Sequence, residues 1–282
     1  MTAIAVRDLR KSYGALEAVR GISFEVQRGE VFGLLGPNGA GKTTTVEILE
    51  GYRRRDGGSV EVLGTDPATA RGDWHERIGV VLQSSAMYET LSVSEMLRLF
   101  AGYYKSSRPL DEVIELIGLH DQRDQRVRRL SGGQRRRLDL GLALVGDPEL
   151  IFLDEPTTGF DPHARRQAWE TLRSLRSLGK TIVLTTHYLD EAEQLADRVA
   201  VLRRGEIVAV GRPADLIGAT PATEIRYRDN GREVVLETDS PTRVLNELTA
   251  KALAENRELD GLVVRRPSLE EVYLTLTREE AE

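Results

Sequence analysis

The chain opens on two alternating stretches. In "IAVRDL" (residues 4–9) and "ISFEV" (22–26) apolar and polar residues alternate, as in half-buried antiparallel strands. "VFGLLG" (31–36) is a continuous apolar run instead, which predicts a strand buried on both faces and ending in a glycine turn. "TTTVEILEGY" (43–52) takes helical spacing, and "SVEVLG" (59–64) and "RIGVVLQ" (77–83) predict two more strands. From about 93 to 146 the spacing is helical in "SVSEMLRLFAGYY", "LDEVIELIGL" and "QRRRLDLGLALVG", which predicts a helical insertion between strands. "LIFLD" (150–154) and "TIVLTTH" (181–187) then enclose the helical "HARRQAWETLRSLRSLG", an order that implies a parallel sheet with helices on its faces. "RVAVLRRGEIVAVG" (198–211) predicts a hairpin around Arg204-Gly205.

A boundary is expected near "IGATPAT" (217–223). Beyond it two short strands, a helix, a strand and a last helix predict a small α+β appendage over 219–282, after a main α/β domain over 1–218. The chain has 282 residues, no cysteine and a net charge of -6. Disulfides, thiolate metal sites and cysteine nucleophiles are therefore excluded. A general nucleic-acid binder would carry a basic domain, so no nucleic-acid partner is expected. No run approaches the roughly 18 apolar residues of a membrane span, and the N-terminus lacks the apolar core of a signal peptide. A membrane role would have to come through a partner. Basic charge is mostly arginine; the lysines are Lys11, Lys42, Lys105, Lys180 and Lys251.

Lys42 lies in "GPNGAGKT", Gly36 to Thr43, which fits G-x-x-x-x-G-K-[ST] in full and stands between a predicted strand and a predicted helix. The glycines let backbone N–H groups turn inward around a phosphate. Lys42 supplies a point charge for the β- and γ-phosphates, and the Thr43 hydroxyl can ligate Mg²⁺. The second candidate is the acidic pair Asp154 and Glu155, which closes the apolar "LIFLD" run at the sheet edge where α/β proteins bind ligands. Asp154 can hold Mg²⁺ through its water shell, and Glu155 is a candidate general base. His187 and Gln83 close two other predicted strands. The first could donate to a γ-phosphate; the second could ligate Mg²⁺ or orient water.

A second anion cradle stands in "LSGGQRRRLDL" (130–140), where Ser131 is an N-cap candidate before a helical pattern. Seven arginines fall between 123 and 137: Arg123, Arg126, Arg128, Arg129, Arg135, Arg136 and Arg137. The competing readings are a solvated helix face, which is preferred, and a patch for ATP, anionic lipid or nucleic acid.

In this order the elements resemble the ATP-binding cassette (ABC) family. "GPNGAGKT" resembles its Walker A motif, "LIFLDE" its Walker B and "LSGGQ" its signature; Gln83 falls at the Q-loop and His187 at the H-loop position. "TGFD" resembles the D-loop, with Asp161 as its acidic residue and Phe160 in place of the usual leucine, and Tyr13 matches the aromatic that stacks on adenine. Over residues 1 to 218 the resemblance implies a RecA-like P-loop core, an antiparallel β subdomain and a helical signature subdomain at about 90–146. It also implies ATP rather than GTP, because a stacking tyrosine reads no base edge. The nucleotide contacts implied are Tyr13, Gly36, Pro37, Asn38, Gly39, Ala40, Gly41, Lys42, Thr43 and Thr44, with Ser131, Gly132, Gly133, Gln134 and Asp161. The implied catalytic set is Glu155, His187, Gln83 and Lys42, and the implied Mg²⁺ ligands are Thr43, Gln83 and Asp154.

The family also implies a head-to-tail dimer, in which Ser131 and Gly133 of one subunit face the γ-phosphate held by Lys42 of the other. ATP closes that dimer and hydrolysis opens it, driving a separate multi-span permease. "PSLEEVYLTLT" (267–277) is similar to the C-terminal element of ATPase subunits in ABC-2-type exporters, including the daunorubicin-resistance type. The resemblance thus implies an exporter ATPase, cytoplasmic and peripheral on the inner face of the cell membrane through its permease. The rival functions are a soluble ABC protein of DNA repair or translation and an importer ATPase. Repair proteins interrupt the cassette with a coiled coil or zinc-binding cysteines, and translation factors carry two cassettes. The appendage would be regulatory or dimer-stabilising, or a packing lid.

Overall fold

A computed structural model describes residues 1–82, 87–218, 223–229, 231–265 and 268–278. The chain divides into two compact units, Met1–Val210 and Gly211–Glu282. The first opens with β1 (Thr2–Tyr13), β2 (Leu16–Gln27) and β3 (Val31–Leu35), then α1 (Lys42–Leu49), β4 (Gly57–Val62), α2 (Gly72–His75) and β5 (Ile78–Val81). The helical insertion follows as α3 (Val93–Ala101), α4 (Leu110–Leu116) and α5 (Gly132–Leu144). Next come β6 (Leu150–Asp154), α6 (Pro162–Ser177), β7 (Thr181–Thr186), α7 (Leu189–Leu195), β8 (Arg198–Arg203) and β9 (Glu206–Gly211).

The central sheet runs β5-β6-β7-β3-β8-β9. Its pairs β5–β6, β6–β7, β7–β3 and β3–β8 are all parallel. Every residue of β3 and β7 is buried, as continuous apolar runs require. The period-2 alternation then sends neighbouring residues into different cores. Phe32, Leu34, Phe152 and Val183 join Ile4, Leu9, Val26 and Trp74 on one face. Val31, Ile151, Leu153 and Ile182 join Met96, Leu97, Val113 and Leu138 of the helical insertion on the other. A separate antiparallel sheet, β2-β1-β4, covers the first face, where the Phe24 and Phe32 rings stack 5.4 Å apart.

The turn between β8 and β9 is the two-residue Arg204-Gly205, both at positive φ (48° and 83°), as a tight hairpin demands. It is tied at two points: the Arg20 N–H donates to the Gly205 carbonyl (2.8 Å) and the Gly205 N–H donates to the Ala40 carbonyl (3.1 Å).

The second unit contains α8 (Pro213–Gly218), β10 (Thr223–Asp229), β11 (Arg232–Thr238), α9 (Pro241–Ala254), β12 (Asp260–Arg265) and α10 (Leu269–Arg278). Its antiparallel sheet is ordered β11-β10-β12. Pro213, Ile225, Tyr227, Ala252, Leu269 and Val272 are its buried side chains among the described residues.

Candidate functional site

The "GPNGAGKT" segment leaves β3 and enters α1 as a loop shaped by two glycines. Gly36 (φ 155°) and Gly41 (φ 102°) take backbone conformations that side chains rarely adopt. An added Cβ would stand 2.5 Å from the Leu202 carbonyl oxygen at Gly36 and 2.4 Å from that of Ala18 at Gly41. Gly41 is the N-cap of α1 and offers no side-chain cap, so the first N–H groups of the helix keep no side-chain partner there. Pro37, Asn38, Gly39 and Thr43 are exposed, Thr44 is half-buried and Ala40 is buried.

Lys42 is buried, and its Nζ donates to the Gly36 (2.8 Å) and Pro37 (3.2 Å) carbonyls. Burial lowers its pKa from the ordinary lysine value, opposed by the charges of Glu155 and Asp154. The Nζ lies 3.9 Å from Glu155 Oε1.

Asp154 closes β6, and Glu155 follows at φ 47°, a left-handed conformation unusual for a residue with a Cβ. Thr185, fully buried in the adjacent β7, holds both. Its hydroxyl donates to Asp154 Oδ1 and accepts from the Glu155 N–H (3.0 Å). Thr158 Oγ1 donates to Glu155 Oε2 (3.1 Å), and His187 Nδ1 lies 3.2 Å from Glu155 Oε1. The structure therefore brings Lys42, Asp154, Glu155 and His187 to one edge of the sheet. The sequence reading missed Thr185; its signal was a hydroxyl pair, Thr185-Thr186, interrupting an apolar strand. Gln83 lies outside the described residues.

The signature segment stands elsewhere. Ser131 caps α5 in a reciprocal box: its hydroxyl accepts from the Gln134 N–H (3.2 Å) and its own N–H donates to Gln134 Oε1 (2.8 Å). Ser131, Gly132, Gly133 and Gln134 line a cleft of 640 Å³ with Phe160 and Asp161. Asp161 Oδ1 accepts from the Ala164 N–H (2.9 Å) at the start of α6. Tyr13 ends β1, 40% exposed, with the Arg53 guanidinium 5.2 Å from its ring centre.

The arginine run departs from the expected solvated face. Arg126, Arg128 and Arg129 are exposed, Arg123 pairs with Asp111 and Arg135 with Glu89. Arg136 and Arg137, however, turn inward. Arg137 donates to the Gly118 carbonyl (2.8 Å). Arg136, with 13% of its side chain exposed, donates to the carbonyls of Asp154 (3.0 Å), Glu155 (3.3 Å), Pro156 (3.2 Å) and Leu82. A carbonyl has two lone pairs, so carbonyls beyond the end of a strand can accept a guanidinium, and this outweighs the preference of a charge for water.

Comparison with known proteins agrees with this geometry. The ABC transporter family profile matches residues 19–158. A Nod factor export ATP-binding protein I of Rhizobium etli is 41% identical over all of this chain and 95% of its own length. A daunorubicin resistance ATP-binding protein of Streptomyces coeruleorubidus is 39% identical over 98% of this chain and 96% of its own. A linearmycin resistance ATP-binding protein of Bacillus subtilis is 34% identical over 97% and 98%. Among solved structures, an ATP-binding subunit of an ABC transporter superposes with a TM-score of 0.73 at 25% identity, over 98% of this chain and 100% of that one. The CbiO1 subunit of a Clostridium perfringens ABC transporter complex superposes with a TM-score of 0.71 at 27% identity, over 77% and 91%. With its phosphate loop, acidic strand end and signature helix in place, the chain belongs to the ABC transporter family and is an ATP-binding, ATP-hydrolysing cassette.

Proposed function

We propose that this chain is the ATPase subunit of a membrane exporter and works as a head-to-tail dimer beneath an ABC-2-type permease. The observation that carries the reading is the position of Glu155. Its carboxylate stands between Lys42 Nζ (3.9 Å) and His187 Nδ1 (3.2 Å), at the strand end that faces the phosphate loop. In the reaction, a water oxygen forms a bond to the γ-phosphorus and the bond to the β–γ bridging oxygen breaks. Glu155 takes the proton of that water, His187 orients the Glu155 carboxylate, and Lys42 exchanges its loop carbonyls for phosphate oxygens. The Gly36–Thr44 loop cradles the β-phosphate and Tyr13 stacks on adenine.

Thr43 and Asp154, with Gln83, would hold Mg²⁺, which supplies positive charge to the phosphate oxygens. The donor set fits. Among the described residues no three His, Asp or Glu side chains are grouped to hold a metal by themselves, and Mg²⁺ is ordinarily held by one or two protein ligands plus phosphate and water.

The dimer is supported by the signature's position. Ser131 to Gln134 line a cleft whose lining does not include Lys42, so a second copy is the economical source of a phosphate for them. Ser131, Gly133 and the positive end of α5 would then close on the nucleotide of the other subunit. The D-loop residue Asp161 would sit at the same junction. Export is supported by relatives named for Nod factor export and for daunorubicin and linearmycin resistance, and these names disfavour a repair, translation or importer role. No helix among the described residues is long and apolar enough to cross a membrane, so attachment to the inner membrane face would come through the permease. The domain over 219–282 would be a regulatory or dimer-stabilising accessory.

The test is Glu155→Gln. It should keep ATP binding, lose turnover by roughly 100-fold or more and accumulate an ATP-bound dimer on sizing with ATP and Mg²⁺. Turnover at the wild-type rate, or a strict monomer under those conditions, would overturn the reading. Co-purification with a multi-span membrane protein tests the permease.

A further inference from the structure

Arg136 has no part in the nucleotide contacts described above, yet it reaches across the fold. Its helix, α5, begins at Ser131 and lies in the helical insertion. Its guanidinium ends on three consecutive carbonyls of another element, Asp154 (3.0 Å), Glu155 (3.3 Å) and Pro156 (3.2 Å), and on Leu82, the residue before Gln83. Asp139 stands 3.9 Å away on the next turn of α5. The Glu155 turn is thus clamped from two sides: Thr185 accepts its N–H, and its carbonyl is shared by Arg136 and the Thr158 N–H (3.3 Å), of which only Arg136 comes from another element. Between these clamps Glu155 holds φ 47°. Such a conformation persists in a non-glycine residue only when its surroundings enforce it.

We propose that Arg136 is a positioning residue for ATP hydrolysis: it fixes the left-handed Glu155 turn and joins the signature helix to it as one mechanical piece. The proposal rests on Glu155 being the base. Without the guanidinium, the turn loses its tie to α5 and keeps those to Thr185 and Thr158, which lets the carboxylate drift from Lys42 and His187. Nucleotide contacts through the phosphate loop stay as they were. The link also has a consequence for the pair of sites. The helix that closes on one nucleotide carries the group that sets the base for the other, so the two sites are aligned by the same movement.

The test compares Arg136→Met, which keeps the apolar stem, and Arg136→Lys, which restores a cation with fewer, differently directed donors. Arg136→Met should lower kcat between about 10- and 100-fold, the range expected for a displaced catalytic group, with KM for ATP and monomer ATP affinity changed less than about two-fold. Like Glu155→Gln, it should accumulate an ATP-bound dimer with ATP and Mg²⁺, which a merely structural role would not produce. Arg136→Lys should fall between Arg136→Met and wild type. Wild-type kcat in a folded Arg136→Met, loss of ATP affinity in step with kcat, or absence of the trapped dimer overturns the proposal. Should Arg136→Met fail to fold, Arg136→Lys decides, and a wild-type kcat there overturns it. Glu155→Gln assayed in parallel separates the two questions: wild-type turnover there removes the base assignment itself.

Discussion

Two helix N-termini in this chain are candidates to face phosphate, and they are prepared in opposite ways. α1 begins at Gly41, which has no side chain to cap it, and ends at Glu50, a carboxylate at the negative end of the helix. Burial, then the charges of Asp154 and Glu47, push the Glu50 carboxyl up to about 8. α5 begins instead with a complete capping box, Ser131 with Gln134, so two of its terminal donors are already satisfied. An uncapped helix end is a ready anion receptor, and a capped one keeps fewer donors for the purpose. The difference teaches that ATP should bind α1 of a single subunit, whereas α5 engages with the Gly132 and Gly133 N–H groups that its box does not use. It would do so only when a second surface holds the phosphate in place.

The comparison can be broken first at α5. Ser131→Arg should lower hydrolysis by about 100-fold or more, as expected when a phosphate-facing donor is replaced by a bulky group. Monomer ATP affinity, measured by titration at low protein concentration, should change less than about two-fold. A collapse of that affinity would place the signature in the wrong subunit.

At α1 the converse holds. Lys42→Ala should weaken monomer ATP binding by about 30-fold or more, the usual cost of removing a buried charged partner of an anion; equilibrium binding of a fluorescent ATP analogue measures it.

The C-terminal end of α1 gives a smaller, pH-dependent effect. A carboxyl raised in the folded state favours the protonated form, so its stabilising contribution is complete below about pH 4.5 and is lost as pH rises to about 8. Glu50→Gln should therefore raise the melting temperature at pH 9 and have little effect at pH 4.5, at about 2–4 °C for each kcal/mol. Equal shifts at both pH values would contradict the burial argument. The smallest effect belongs to Gln134→Ala, which opens one side of the box. Its stability cost should be about 0.5–1 kcal/mol in denaturant titration, with monomer ATP affinity unchanged.

What could be read from the sequence divides along the same line between local and distant. The phosphate loop, the acidic strand end and the signature are contiguous strings whose chemistry is set by residue type and order. The helical insertion and the β10-β11-α9-β12-α10 order were legible from periodicity for the same reason. β1 and β2 run to 12 residues each, beyond the alternating segments that suggested them, because pairing continues to Tyr13 and Leu16 through register shifts. The four-residue helix α2 gave too few turns to produce a period. Arg136 was illegible for a different cause. Its partners Asp154, Glu155 and Pro156 are backbone carbonyls 18 to 20 positions away, and Leu82 is 54 away, so a charge run signalled solvent where the fold supplied acceptors. Thr185 left only a weak local trace, the hydroxyl pair with Thr186, and its partners Asp154 and Glu155 lie 30 or more positions away.

The Arg204-Gly205 hairpin has a practical meaning. A two-residue turn linking two strands looks like the natural place to splice in a tag, a fluorescent reporter or a protease site. Here the turn works as a clasp, fastened to Arg20 on the antiparallel sheet and to Ala40 in the phosphate loop. Even a single methyl group at Gly205 would come within 3.0 Å of the Ala18 carbonyl oxygen. An insertion there would unfasten the nucleotide loop from outside, so labels meant to leave the enzyme working belong at another surface.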